Sequence, residues 1–441
     1  MQNVSDSAMP AKAPQRHAAR LLLVLAVAVV LTACGGGDPA PSGKSAAIVS
    51  ESAAIGSASL SSLSYTMTRV RPPVAGSGVY DVRLDTRGMV TGTYVANRTT
   101  TNPVNRPFIY NAVNDSSLDI GPADPGISTL AFAIADSGLV VGAAYFPHNG
   151  GLLPGAFVWS PPDGFLAIDP EQNEGSFAYW VSDAGIVGGE TVDATSQECT
   201  GAFRWDVASR TFTRFANFCP HTMNASGAMA GRYSPPGVSP YLAMLENDGS
   251  LRALLPGRAI DGRVRFLMEN GDAVIDASCG IDAGQIVASG STALVIKPGF
   301  VHPPPEATES FEQATIYNVS RSNLAVGLDQ VFWSRPGMAG MLASGFVWST
   351  DAGALQVGVG ADSAFPRALN SAGVVVGFTP FLGVPQRAFV WTRESGGVLL
   401  ETRVTNLPAE THIRDALDIG EGGHILATTG DDGFVILTPQ Q

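Results

Sequence analysis

IADSGLVVG, Ile134–Gly142, is one copy of a pattern that runs most of the chain's length. It reads as an apolar residue, three mostly polar residues, a Gly, three mainly apolar residues and, in most copies, a second Gly. Upstream lies LDTRGMVTG from Leu84. Downstream lie VSDAGIVGG from Val181, MNASGAMAG from Met223, LMENGDAVI from Leu267, VSRSNLAVG from Val319, LNSAGVVVG from Leu369 and IGEGGHILA from Ile419. Successive starts fall 42 to 52 residues apart, a spacing that marks a repeat architecture. The fifth copy is the most divergent, and GIDAGQIVASG, residues 280–290, competes with it for the same place. The first Gly position holds Gly in seven copies and Asn323 in the other. These two residue types tolerate positive φ best, so each copy predicts a tight turn between two short apolar strands.

A second apolar element follows each copy: FIY at Phe108, AFVW at Ala156, AFRW at Ala202, LAML at Leu242, ALVI at Ala293, GFVW at Gly345, AFVW at Ala388 and GFVI at Gly433. Several are followed by turn signals such as Asp163-Gly164, Asp248-Gly249 or Gly396-Gly397, then by another short apolar run. About four short strands per repeat is the period of a propeller blade. The expectation is an all-β fold, an eight-bladed β-propeller of four-stranded antiparallel blades. The last copy runs out after its third strand, and an unpartnered strand, YTMTRV from Tyr65 to Val70, precedes the first. That N-terminal strand is expected to close the last blade and remove an exposed edge.

Ahead of the repeats, Leu21–Ala33 reads LLLVLAVAVVLTA, preceded by Lys12, Arg16 and Arg20. A membrane span needs roughly 20 apolar residues, so this shorter run reads as a signal peptide. Leu31-Thr32-Ala33-Cys34 resembles the bacterial lipobox. The resemblance implies acylation, palmitate included, at Cys34 as the first mature residue. Gly35, where an Asp would mark inner-membrane retention, favours the outer membrane, on its periplasmic or cell-surface side. The division is then 1–33 signal peptide, 34–61 flexible lipidated tether poor in large apolar residues, and 62–441 propeller. The formal net charge is −13. An acidic body repels phosphate backbones, so no nucleic-acid partner is expected, and a monomer is.

The pairing of a G-x-VVG-like element with AFxW resembles the HAF-type extracellular repeat, over residues 80–436. In this chain Gly155, Gly201 or Arg387 precedes Ala-Phe where that signature has His. The resemblance implies an exported repeat protein and brings no catalytic residues.

Candidate chemistry is sparse. Trp159, Trp205, Trp348 and Trp391 recur at one repeat position, which assigns them to packing between blades. The six His residues show no metal-ligand spacing, and no G-x-S-x-G elbow or P-loop is present, so no catalytic residue, metal or cofactor is assigned. Ser349, Asp351 and Gly353 resemble part of an Asp-box, a structural turn. Cys199 and Cys219 flank the hairpin from AFRW to TFTRF and form a candidate disulfide that leaves Cys279 unpaired. In a four-stranded blade the first and third connections share one face, and here those are the short Gly turns. The variable connections share the other face. It carries the candidate ligand residues Tyr145, Phe146, His148, Phe332 and Trp333, with the acids Glu171, Glu174, Glu190 and Glu309. The leading functional expectation is a non-enzymatic envelope binding or scaffold protein for a protein or glycan. The alternatives are a periplasmic outer-membrane assembly factor and a glycan-active enzyme with two converging carboxylates.

Overall fold

The first Gly of every copy does what its position predicts. In the computed structural model, φ at this position runs from +61° at Asn323 to +93° at Gly227. In Ala135–Leu139 the Gly138 amide donates to the Ala135 carbonyl at 2.8 Å and the Ala135 amide donates to Leu139 at 2.9 Å. The same two bonds recur in all the repeats, LMENGDAVI included. Each is a type I turn closed by a left-handed residue, a three-residue hairpin loop. The structure describes residues 63–96, 103–148, 151–168, 174–256, 262–277, 284–360, 362–380 and 385–440. Cys34, Glu171, Cys279, the signal peptide and the tether lie outside them.

Strands order into eight antiparallel sheets, each built from consecutive strands except the last. We number them as blades: 1 (79–119), 2 (129–167), 3 (174–216), 4 (218–253), 5 (262–295), 6 (309–363), 7 (365–399) and 8 (413–440 with Ser64–Arg69). The fold is an eight-bladed β-propeller. Blade 6 departs from the expected four strands, because Asp362–Ser363 adds a fifth. Blade 5 corrects the alignment of the fifth repeat. LMENGDAVI is its first hairpin, Gly284–Ser289 is its third strand, and ALVI at Ala293 belongs to the fourth. With no aromatic in the third strand and no Gly opposite it, the repeat signature was lost there.

The ring closes as the ends of the chain predict. Ser64–Arg69 pairs antiparallel with Phe434–Gln440, from Ser64↔Gln440 to Arg69↔Val435. Its free edge is also covered. The Thr405 amide donates to the Tyr65 carbonyl at 2.9 Å. The Asn406 side chain accepts from the Met67 amide at 2.7 Å and donates to the Met67 carbonyl at 3.0 Å.

Eight hydrophobic clusters sit one at each junction between neighbouring blades, the junction of blade 8 with blade 1 included. The four recurrent tryptophans are buried in them, each packed towards the preceding blade. The second Gly of the repeat has a different reason from the first. Gly142, Gly189, Gly327 and Gly377 pair with Phe157, Phe203, Phe346 and Phe389. In the first three, the Phe ring lies over the glycine. A Cβ at Gly142 would lie 2.7 Å from the Phe157 ring and closer still to the Leu130 carbonyl of the first strand. The glycine lets two strands and an aromatic ring share one point.

Cys199 and Cys219 are joined as a disulfide with a Cα–Cα distance of 6.0 Å. Cys199 opens the third strand of blade 3 and Cys219 lies in the first strand of blade 4, so the bond links two blades rather than two strands of one hairpin.

Candidate functional site: the central channel

First strands of neighbouring blades contact one another at most junctions of the ring, so they form the wall of the central channel. All eight carry a bulge or register irregularity. In blades 2 to 7 the register shifts by one residue at Phe132, Tyr179, His221, Arg265, Tyr317 and Arg367, each three residues before the turn begins. A bulge leaves one residue unpaired and re-aims its side chain. Contacts between blades place these residues on a common wall. Phe132 and Tyr179 have ring centroids 5.2 Å apart, and the charges of Arg265 and Arg367 both act on Tyr317.

The wall has two chemical sides. On blades 2 and 3, Tyr179 stacks on Phe177 at 5.6 Å and 9°, and Tyr145 meets Phe177 edge-on at 6.4 Å. The Tyr179 hydroxyl donates to Glu190 Oε1 at 2.9 Å. Burial pushes the Glu190 carboxyl up, against the opposing pull of that hydrogen bond and of the Arg263 charge. Burial likewise raises Tyr179, with the Glu190 charge adding to it. On blades 5 and 7 the wall carries guanidinium groups. Arg263 and Arg265 are exposed. Arg265 pairs with Asp276 at 3.3 Å, and Arg367 pairs with the buried Asp415 at 3.1 Å while lying 4.8 Å over the Phe378 ring. Burial raises Asp415, partly offset by Arg367. Between the two sides, His221 Nδ1 accepts from the Val264 amide at 3.1 Å. Burial, Arg263 and Arg232 push its pKa down to about 4, which keeps the ring neutral with the proton on Nε2.

One end of the channel is bridged. Arg321, in the first turn of blade 6, reaches Asp136 in the turn of blade 2 at 3.0 Å and also pairs with Asp183 in the turn of blade 3. Blades 2 and 6 stand four apart in a ring of eight, so this side chain spans the axis. The turns are also linked one to the next. The Thr86 amide donates to Asp136, the Asp136 amide to Asp183, the Ala225 amide to Glu269, the Asn270 amide to Asn323 and the Ser371 amide to Glu421.

The expected ligand residues lie on the face opposite those turns, on two hairpin arms rather than on loops. Tyr145, Phe146 and His148 belong to Val140–His148 of blade 2, and Phe332 and Trp333 to Ala325–Arg335 of blade 6. Strand pairing continues to His148↔Gly151 and Arg335↔Met338, so the variable connections of blades 2 and 6 are antiparallel arms. The structure does not gather these residues into one cluster. Tyr145 joins the aromatic wall. Phe146 packs on Gly155 and Trp333 on Gly340, with Arg335 5.8 Å from the Trp333 ring. Phe332 is 40% exposed and neighbours Phe311. Of the acids, Glu190 lines the channel, Glu174 pairs with Arg214 at 2.6 Å and Glu309 lies near the Ser334 hydroxyl. Among the described residues no group of three His, Cys, Asp or Glu side chains gathers as a metal site.

No family model matches the chain, and neither does any curated protein. Among solved structures it is similar to the β-propeller domain of the trilobed protease of Pyrococcus furiosus, at 10% identity over 75% of this chain and 99% of that one, with a TM-score of 0.45. Dipeptidyl peptidase 4 of Porphyromonas gingivalis matches at 9% identity over 81% of this chain and 58% of that one, TM-score 0.43. TolB of Acinetobacter baumannii matches at 10% identity over 80% of each chain, TM-score 0.30. No residue role is carried over from them.

Sequence reading missed Phe132, Phe177, Tyr179, His221, Arg263, Arg265, Tyr317 and Arg367. Their signal lies in stacking the repeats. The residue before each bulge is small or apolar in every copy from blade 2 to blade 7 (Ala131, Ala178, Pro220, Val264, Ile316, Pro366), while the bulged residue is large and changes from copy to copy.

Proposed function

We propose that this chain is a non-enzymatic binding propeller of the cell envelope, lipid-anchored through Cys34 at the outer membrane, that engages a protein or glycan through its arm face and central channel. One observation carries the reading. The residues that differ between repeats converge on a channel wall with an aromatic and a cationic side, while the repeated residues are consumed by turns and packing. Sites of this kind combine apolar platforms with a few placed polar groups. The signal peptide and lipobox-like Leu31–Cys34 support the address.

Two measurements test the reading. Incorporation of an alkynyl palmitate analogue should label the wild-type protein and vanish in Cys34→Ser; equal labelling overturns the anchor. Proximity labelling from the anchored protein should lose a specific set of neighbours when both arms are cut back to two-residue turns. An unchanged set overturns the proposed face.

A further inference from the structure

Resting on the binding-propeller reading, we propose that the channel wall is a site for a carboxylate-bearing sugar of the uronate class. The ring lies on the Phe177–Tyr179 platform and the carboxylate on the guanidinium side led by Arg263. The aromatic part is already formed. Tyr179 stacks on Phe177 and meets the Phe132 ring at a 32° tilt, and each of the three is only partly buried, so the platform is held in place yet reachable. A pyranose presents a face of C–H bonds to such a platform and a rim of hydroxyls around it. Glu190 supplies an acceptor at the platform's edge, and neutral His221 supplies an Nε2 donor. Arg263 is exposed in the first strand of blade 5, next to Val264, whose amide bonds His221 at 3.1 Å, and its charge reaches Tyr179 and Glu190 from there, so a group on the platform lies within its field. Arg265, from the same strand, is the neighbouring cation, shared with Asp276. Exposed guanidinium groups on the channel wall of a chain with formal net charge −13 are a local reversal of sign, and Arg binds carboxylates through paired N–H donors.

The backbone argues against an extended peptide as the occupant. Adding a strand needs an unbroken row of N–H and C=O groups on the inner edge. The bulges at Phe132, Tyr179, His221, Arg265, Tyr317 and Arg367 interrupt that row in six consecutive blades. Recognition then falls to side chains, and the side chains present are rings, hydroxyl partners and guanidinium groups.

Titration calorimetry of the purified full-length protein with an α-1,4-linked galacturonic acid trimer, its carboxyl-reduced neutral counterpart and an acidic hexapeptide tests this. The acidic trimer is expected to bind about ten-fold or more tightly than the neutral one, the usual worth of a charge-assisted contact. Arg263→Gln should abolish that preference, and Tyr179→Ala should weaken both sugars. Unchanged circular dichroism checks that each variant folds. Equal affinity for the two trimers, no binding of the acidic trimer at millimolar concentration, or a preference that survives in Arg263→Gln overturns the inference. Tighter binding of the peptide, lost in Arg263→Gln, overturns the sugar while leaving the binding-propeller reading standing. Failure of the arm-shortening experiment overturns the arm face independently of these outcomes.

Discussion

A single methyl group shows how tightly the strands of one blade are drawn together. At Gly189 an added Cβ would lie 2.6 Å from the Phe203 ring and nearer still to the Phe177 carbonyl. Gly189→Ala is expected to cost about 1–3 kcal/mol as an overpacked position, measured by urea denaturation. Gly353→Ala, at φ +70° with nothing within 4 Å, should cost only the left-handed strain of about 1–2 kcal/mol. The sequence made the turn glycines legible through their φ requirement. It left the second Gly unexplained, because its partner is a carbonyl brought over by the first strand's bulge, which no local pattern announces. Asn323 meets the same φ requirement as the turn glycines, and the ring adds a second reason for it. Its side chain accepts from the Asn270 amide of the preceding blade at 3.0 Å, a bond Gly could not make. His221 gives a pH dependence. Its folded pKa of about 4 lies below the ordinary value of 6.5, so the unfolded chain binds the extra proton. Stability is complete above about pH 6.5 and falls as the pH drops towards 4. His221→Asn, which keeps an acceptor for the Val264 amide, should flatten the change in urea midpoint between pH 7 and 5. An unaltered slope would show that other groups set it.

At the scale of elements, the closing strand and the disulfide each hold what the repeats alone leave loose. Tyr65 is 1% exposed and sits in the cluster between blades 7 and 8. Tyr65→Ala should cost about 3–5 kcal/mol by analogy with other large aromatic deletions. Chemical denaturation should register it, and a loss under 1 kcal/mol would mean blade 8 does not depend on the strand. Cys199 and Cys219 are 20 residues apart, and the loop-closure model gives about 3 kcal/mol for a loop of that length. The Cys199→Ser/Cys219→Ser pair should therefore unfold at clearly lower urea, by about the same amount as the reduced wild type. Closure and blade count were readable because turn chemistry and period are local, whereas the fifth strand of blade 6 was not. The arms were not. Residues such as Pro147, Pro154, Gly151 and Gly155 read as loop, yet they extend blade 2 because two adjacent strands pair past the ring. The disulfide's inter-blade span was equally hidden, since flanking a hairpin and crossing to the next blade look alike in one dimension.

In the whole molecule, the ends of the channel differ because one arginine ties opposite sides of the ring. Burial raises the Asp136 carboxyl, but the Thr86 amide and hydroxyl and the Arg321 charge outweigh it and hold it below the ordinary range. The stabilisation is present at neutral pH and is lost as the pH falls through that lowered value. Both partners are partly solvated, so Arg321→Ala should cost at most about 1 kcal/mol. Arg321→Glu, which adds a third carboxylate to Asp136 and Asp183, should cost more, and 1 M salt should narrow the gap in melting temperature between the two variants. The closing strand also fixes how the ring carries load. Connections alternate between faces, so Gln440 and its partner Ser64 lie on the face of the Gly turns, away from the arms. A pull on the chain before Ser64, directed out of that face, runs along the strand and loads its pairs from Ser64↔Gln440 to Arg69↔Val435 together. That is a shear geometry rather than an unzipping one, and it makes the closing strand a seam whose pairs share such a load instead of parting one by one.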